Sequence, residues 1–384
     1  MKAVVVIDGE HYAPVVRDAL ASLPYDVVGV WLAGGTEKLR GGEDYGVPLV
    51  ERFDGADIVV DLSDEPVLSP PRRFQLASRA LALGIPYVGA DFRFEPPLFE
   101  QFPLPSVAVI GTGKRVGKTA VTGHVARLLA RDRDIVVVAM GRGGPAEPEL
   151  IASSPTLDDL VALSRAGRHA ASDHLETAAL VGVRTIGCRR AGGGLAGMPY
   201  TSNVLEGARL AAELEPDVVV FDGSGAALPP VAVSARILVA HDVVTALNPY
   251  RVLISDLVLT MDDGVAQAAE RLGTPALRFG LRLSPAEPLM GRVAVFAAGP
   301  ARVDHLDAHL VHVSPNLARR DLLREELARV DADTYLVEVK AAAIDVVAEH
   351  ALARGARVVL AANEVVAPGL DDAVLSLVTQ EVRA

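Results

Sequence analysis

One cysteine, Cys188, in 384 residues excludes an intrachain disulfide framework and any thiolate-cluster metal site. Half the residues are apolar, yet no uninterrupted run reaches the ~18 residues that a membrane span needs, so no membrane partner is expected. Neither a basic start nor a small-residue cleavage site precedes Asp8-Gly-Glu-His11, which predicts a soluble, cytoplasmic protein. Positive charge is short: 37 Lys and Arg stand against 49 Asp and Glu, a net −12 that argues against a general nucleic-acid face. Aromatics are equally scarce, while Ala, Val, Leu and Arg dominate, as in a GC-rich genome. No N-K-x-D element marks a guanine preference, so the base of any nucleotide is not read.

What the chain does have is centred on residues 107–129. The apolar run 107–110 predicts a buried strand. A polar turn follows, Gly111, Thr112, Gly113, Lys114, Arg115, Val116, Gly117, Lys118 and Thr119, which opens directly into a helix. Val121, Val125 and Leu128 recur on one helical face, with Arg127, Arg131 and Arg133 outside that row. Backbone N–H groups and the positive helix end converge on an anion at such a turn, and glycines allow close approach. A triphosphate fits: Lys118 would reach its outer phosphates, and the Thr119 hydroxyl would hold bridging magnesium. Thr112 departs from the usual first glycine of G-x-x-x-x-G-K-[ST], with glycines on either side of it.

The first hundred residues alternate strands (3–7, 27–32, 58–61, 87–89) with helices (12–23, 73–83), which predicts a small parallel α/β domain. Asp8, Glu10 and His11 follow its first strand, where such sheets bind ligands; helix capping is the competing reading. Asp61 and Asp64 end a later strand and could face the same crevice. Proline-rich 95–105 reads as a linker. Beyond the loop helix, strand 135–139 ends at Gly141-Arg142-Gly143-Gly144, where an arginine among glycines can aim its planar fork at phosphate. Segment 153–183 carries helical pattern, and its His169, Asp173 and His174 read as solvated faces because no zinc spacing emerges. Arg189 and Arg190 precede a glycine-rich stretch that would make a lid closing on a polyanion. The strand ending at Asp222 lies downstream of the loop, where Asp222 would be a direct or second-sphere magnesium carboxylate; a strand-terminal turn aspartate is the competing reading. In the last hundred residues alternation restarts (strands 293–296, 310–313, 335–339, 357–361), and Glu338 and Lys340 at a strand end either touch substrate or form interface ion pairs.

The expected architecture is α/β: a parallel-sheet P-loop NTPase core (104–285) flanked by smaller Rossmann-like α/β domains (1–103 and 286–384). The Gly-Thr start with Val-Gly-Lys-Thr resembles the nucleotide loops of the dethiobiotin-synthetase branch of P-loop enzymes. Together, IDGEHYAPVV, GTGKRVGKTAVTGHVA with VAMGRGGPAEPELI, and LVEVKAAAIDVVA resemble the cyclic 2,3-diphosphoglycerate synthetase family over the whole chain. That resemblance implies closure of 2,3-diphosphoglycerate into its cyclic anhydride, a compatible solute, with ATP converted to ADP and phosphate, dependent on magnesium and favoured by potassium. It would use Lys118, Arg142 and Asp222 as catalytic residues and Thr119 and Asp222 as magnesium ligands. Asp8, Glu10, His11, Arg189, Arg190, Glu338 and Lys340 would lie toward the small anionic substrate. A homodimer is expected by analogy with related P-loop enzymes. Two alternatives stay open: a nucleotide switch, and a dethiobiotin-synthetase-like ligase for another small acid.

Overall fold

The β-branched runs pair into three sheets in the computed structural model, which describes residues 1–170, 172–339 and 343–379. The first sheet has the order Asp26–Leu32, Lys2–Ile7, Ile58–Asp61, Tyr87–Val88, Arg93–Phe94, parallel except at its last pair. Helices Ala13–Ser22 and Pro70–Ala82 pack on it, each with proline in its first turn, where a missing N–H costs nothing. Segment 95–105 forms no long regular element, as its prolines dictate, but it is docked and not a free linker. The Glu100 N–H donates to the Pro230 carbonyl at 3.0 Å, and Phe102 meets Phe221 edge-on.

The central sheet runs Thr201–Ser202, Arg184–Ala191, Ile135–Gly141, Val218–Asp222, Ser106–Gly111, Ala235–Ala240, Leu257–Thr260, Ala276–Arg278. Along this order all pairs after the first are parallel, and a ninth strand, Glu149–Ile151, pairs antiparallel with Arg184–Ala191 off the path. Ser106–Gly111 is buried at every position, which is why it reads as a continuous apolar run and not as an alternating one.

The third sheet has the order Gly280–Pro285, Arg357–Val366, Thr334–Glu338, Arg292–Phe296, His309–Ser314. Its first strand was expected in the central domain. Leu283 instead joins Val293, Val295 and Val359 in the third sheet's core, and the strand pairs antiparallel with Arg357–Val366. The chain end also crosses back. Helix Leu370–Thr379 places Leu370, Val374 and Val378 against Val121 and Val125 of helix Lys118–Leu129, and Asp371 meets His124 Nε2 at 2.7 Å. Four-residue spacing makes that stripe, and burying it ties the last segment to the nucleotide-loop helix.

Candidate functional site

The turn after Ser106–Gly111 leads into helix Lys118–Leu129 through Gly117, whose φ of +92° only glycine adopts without strain. A Cβ there would also come within 3.1 Å of the Phe279 ring. Arg115 is left-handed too, at φ 60°. Thr112 has a local role: its Oγ1 accepts the His241 N–H at 3.2 Å and lies 3.0 Å from His241 Nδ1. The departure from glycine therefore ties the loop to the neighbouring strand's end.

Behind the loop, the Lys118 ammonium donates to Asp222 Oδ1, which also accepts from Thr122 Oγ1 at 2.6 Å. Asp222 is fully buried, and its Oδ2 has no hydrogen-bond partner. Burial raises its pKa above the ordinary carboxylate value; Lys118 opposes that rise and the charge of Asp173 adds to it. Among the described residues no three His, Cys, Asp or Glu side chains gather to hold a metal. Magnesium does not require such a cage, because it takes one or two protein oxygens together with phosphates and waters. Asp222 Oδ2, unpartnered, and the hydroxyl of Thr119, a residue of the cleft wall, are oxygen donors of the kind it takes.

Arg142 projects from the turn after Ile135–Gly141, where Gly144 lies so close to the Cys188 carbonyl (2.0 Å from a built Cβ) that no side chain fits. Its guanidinium lies over Gly225, 2.6 Å from a Cβ placed there, with Arg190 Nη2 at 3.6 Å from the same point. Arg190 donates to the Ser224 carbonyl at 2.7 Å and the Gly192 carbonyl at 2.7 Å. Burial lowers its pKa, and the nearby Arg142 charge lowers it further. Two guanidiniums held side by side favour a polyanion between or before them. The expected lid takes another form. Arg189 and Arg190 belong to strand Arg184–Ala191, paired with Thr201–Ser202, and the glycine stretch beyond is bonded through Gly194 N–H to Met198 O at 2.8 Å and Leu228 N–H to Gly197 O at 2.8 Å. Arg189 is exposed and Arg190 half-buried, and neither lines the cleft.

The loop and Arg142 border one cleft of about 950 Å³, which Asp222 does not line. Its first wall is the loop from Gly113 to Thr119 with Arg142, Ser224 and Gly225. Its second comes from the third sheet: 297–302, Glu338 and Asn363. Glu338 is thus at the cleft, with its oxygens engaged by the Ala298 N–H at 2.7 Å and Asn363 Nδ2 at 2.5 Å. Lys340 lies outside the described residues. Asp8, Glu10 and His11 do not line this cleft. They form a separate cluster, where buried Asp8 accepts from His11 Nδ1 at 2.8 Å, the Asp64 N–H at 2.7 Å and the Glu10 N–H at 3.0 Å.

Segment 172–181 is where sequence reasoning missed the site. His174 and Glu176 are buried, against the expectation of solvated faces, and His169, Asp173 and Glu176 line the cleft. Helix Asp173–Val181 contacts Arg184–Ala191 and Ile135–Gly141 on one side and Arg357–Val366 on another, so it has little free face. Burial lowers the His174 pKa. The available signal was composition: DHLETAALV has few charges for a surface helix.

Family models described as cyclic 2,3-diphosphoglycerate synthetase N-terminal domain, P-loop domain and C-terminal domain match residues 2–95, 106–274 and 300–364. The cyclic 2,3-diphosphoglycerate synthetase of Rubrobacter xylanophilus is 47% identical over 98% of this chain and 97% of its own. That of Pyrococcus furiosus is 38% identical over 94% of this chain and 93% of its own. Among solved structures, LpxK from Aquifex aeolicus in complex with ATP gives a TM-score of 0.45 at 13% identity, over 74% of this chain and 90% of that one, a likeness too slight to bear on the site. No helix among the described residues is long and apolar enough to cross a membrane. With three models in order along the chain and full-length relatives of this identity, the chain belongs to the cyclic 2,3-diphosphoglycerate synthetase family.

Proposed function

We propose that this protein closes 2,3-diphosphoglycerate into its cyclic anhydride, converting ATP to ADP and phosphate. The observation that carries the reading is the meeting, at one cleft, of a nucleotide loop with Arg142, whose guanidinium has Arg190 beside it over Gly225. Bringing two phosphates of one small acid together is opposed by their charge, and fixed cations offset that repulsion. Phosphate oxygen is a poor leaving group until it is phosphorylated. The γ-phosphoryl therefore passes to one substrate phosphate, whose oxygen attacks the γ-phosphorus as ADP leaves. An oxygen of the other substrate phosphate then attacks the first substrate phosphorus. The P–O–P ring forms as inorganic phosphate departs.

In this scheme the loop amides from Gly111 to Thr119 cradle the nucleotide, and Lys118 leaves Asp222 to follow the transferring group. Arg142 and Arg190 neutralise the acid's phosphates. Magnesium, held by Thr119 Oγ1 and Asp222 Oδ2, would supply positive charge at the outer phosphates. Potassium and a homodimer belong to the proposal through the family resemblance; activity with and without potassium, and sedimentation, check them. The scheme requires no acid–base histidine, since the attacking phosphate oxygens are already ionised near neutral pH.

The test is ADP release by the purified full-length chain with ATP and magnesium, with and without 2,3-diphosphoglycerate. The proposal expects release to depend on the acid, one ADP per acid consumed, and to vanish in Lys118→Ala. Release at one slow rate whether or not the acid is present would overturn it.

A further inference from the structure

The nucleotide loop occupies only one wall of the cleft. The opposite wall is built at the carboxyl ends of two neighbouring parallel strands of the third sheet: 297–302 follows Arg292–Phe296, and Glu338 ends Thr334–Glu338. The chain reverses direction across the sheet here. From Arg292–Phe296 it runs to His309–Ser314 on one side, then crosses to Thr334–Glu338 on the other. Such a reversal leaves a crevice beyond the strand ends, and open parallel sheets bind ligands there.

The wall is pinned at its base and open at its rim. The Ala297 N–H donates to the Ser314 carbonyl at 2.9 Å, and the Ala297 carbonyl accepts the Leu317 N–H at 3.0 Å. Glu338 takes the Ala298 N–H and the Asn363 amide on its two oxygens, which directs its charge into the wall. Beyond these contacts, a Cβ on Gly299 would meet nothing within 4 Å. Arg302 lines the cleft, is exposed, and has no hydrogen-bond or ion-pair partner among the described residues.

We propose that this wall is the acceptor subsite, in which Arg302 and the backbone of 299–301 bind a phosphate of the small acid. Glu338 and Asn363 are positioning residues that hold the loop. The inference rests on reading the cleft as a phosphoryl-transfer site, and it deepens that reading by placing one phosphate of the acid on the wall opposite the nucleotide loop, while Arg142 reaches the acid from the loop's own wall. In-line transfer needs donor and acceptor to face each other, and each wall here emerges from the strand ends of its own sheet. The cleft volume is at the upper end of the roughly 300–1,000 Å³ typical of one ligand site, which leaves room for a small acid beside a nucleotide.

The test compares wild type, Arg302→Ala, Arg302→Lys and Glu338→Gln in the full-length chain. Steady-state kinetics measure KM for ATP and for 2,3-diphosphoglycerate, and calorimetry measures binding of 2,3-diphosphoglycerate alone. For Arg302→Ala the acid's KM and dissociation constant should rise about tenfold or more, with the ATP KM within about twofold. Arg302→Lys should recover part of the loss, and Glu338→Gln should weaken the acid without touching ATP. Wild-type turnover with an Arg302→Ala variant that binds the acid equally well overturns the subsite and leaves the proposed function standing. Binding that weakens in Arg302→Ala without wild-type turnover upholds the subsite and removes the proposed function. A wild type that binds no acid overturns both.

Discussion

Asp8 and Asp222 occupy equivalent places, each a fully buried carboxylate at the carboxyl end of a parallel strand, and they differ in what reaches them. Burial works to raise the Asp8 pKa, but the Asp64 N–H, His11 and the Glu10 N–H outweigh it and leave the group more acidic than usual. Asp222 receives only side chains, Lys118 and Thr122, both on one oxygen; its other oxygen is unpartnered and burial keeps its pKa raised. A saturated carboxylate fixes local backbone. A half-satisfied one beside a nucleotide loop is poised to exchange partners, and native proteins retain such groups where function uses them.

The largest effects should fall on the half-satisfied side. Lys118→Ala should lower turnover by about 10³-fold, and Asp222→Asn by about 10²- to 10³-fold, with circular dichroism unchanged. The complement is Asp8→Asn, which forfeits buried hydrogen bonds and should cost about 1–3 kcal/mol in urea unfolding while turnover stays within about twofold. If Asp8→Asn abolished turnover at unchanged stability, the contrast between the two carboxylates would collapse.

Acid titration sharpens the same contrast. The folded pKa of Asp8 lies below its ordinary 3.8, so its stabilisation is complete above that pH and is lost as pH falls through the folded value. For Asp222 the sign reverses: the folded pKa lies above 3.8, so the favourable contribution is present below 3.8 and is lost as pH rises through the folded value. Unfolding free energies measured from pH 7 down to about 3 should show a shallower acid decline for Asp8→Asn than for wild type. Asp222→Asn should show a steeper decline, because the contribution that grows as pH falls is removed. The smallest effect concerns the paired arginines. Arg190→Ala, next to Arg142, should raise the KM for 2,3-diphosphoglycerate about fivefold to tenfold, whereas exposed Arg189→Ala should change it by less than about twofold. Equal effects in initial-rate assays would refute the distinction drawn between them.

The features legible in the sequence are those that local order determines. Gly117-Lys118-Thr119 between an apolar run and an amphipathic stripe leaves little besides strand, loop and helix, and Asp222 ends a run too apolar to be anything but a buried strand. Hidden features depend on contacts between distant segments. Thr112 looks like a motif defect until His241, 129 residues on, is seen to bond it. The burial of His174 comes from sheets on two sides of its helix, and the placement of Leu370, Val374 and Val378 comes from a helix some 250 residues earlier. Periodicity shows which face is apolar. It does not show what covers that face.

The account's central claim is tested most directly by phosphorus NMR of the purified protein incubated with ATP, magnesium, potassium and 2,3-diphosphoglycerate. The account predicts upfield anhydride resonances from a non-nucleotide product, rising in step with ADP and absent with Lys118→Ala. Unchanged 2,3-diphosphoglycerate signals while ATP persists, or while it is hydrolysed at the same rate without the acid, would contradict it.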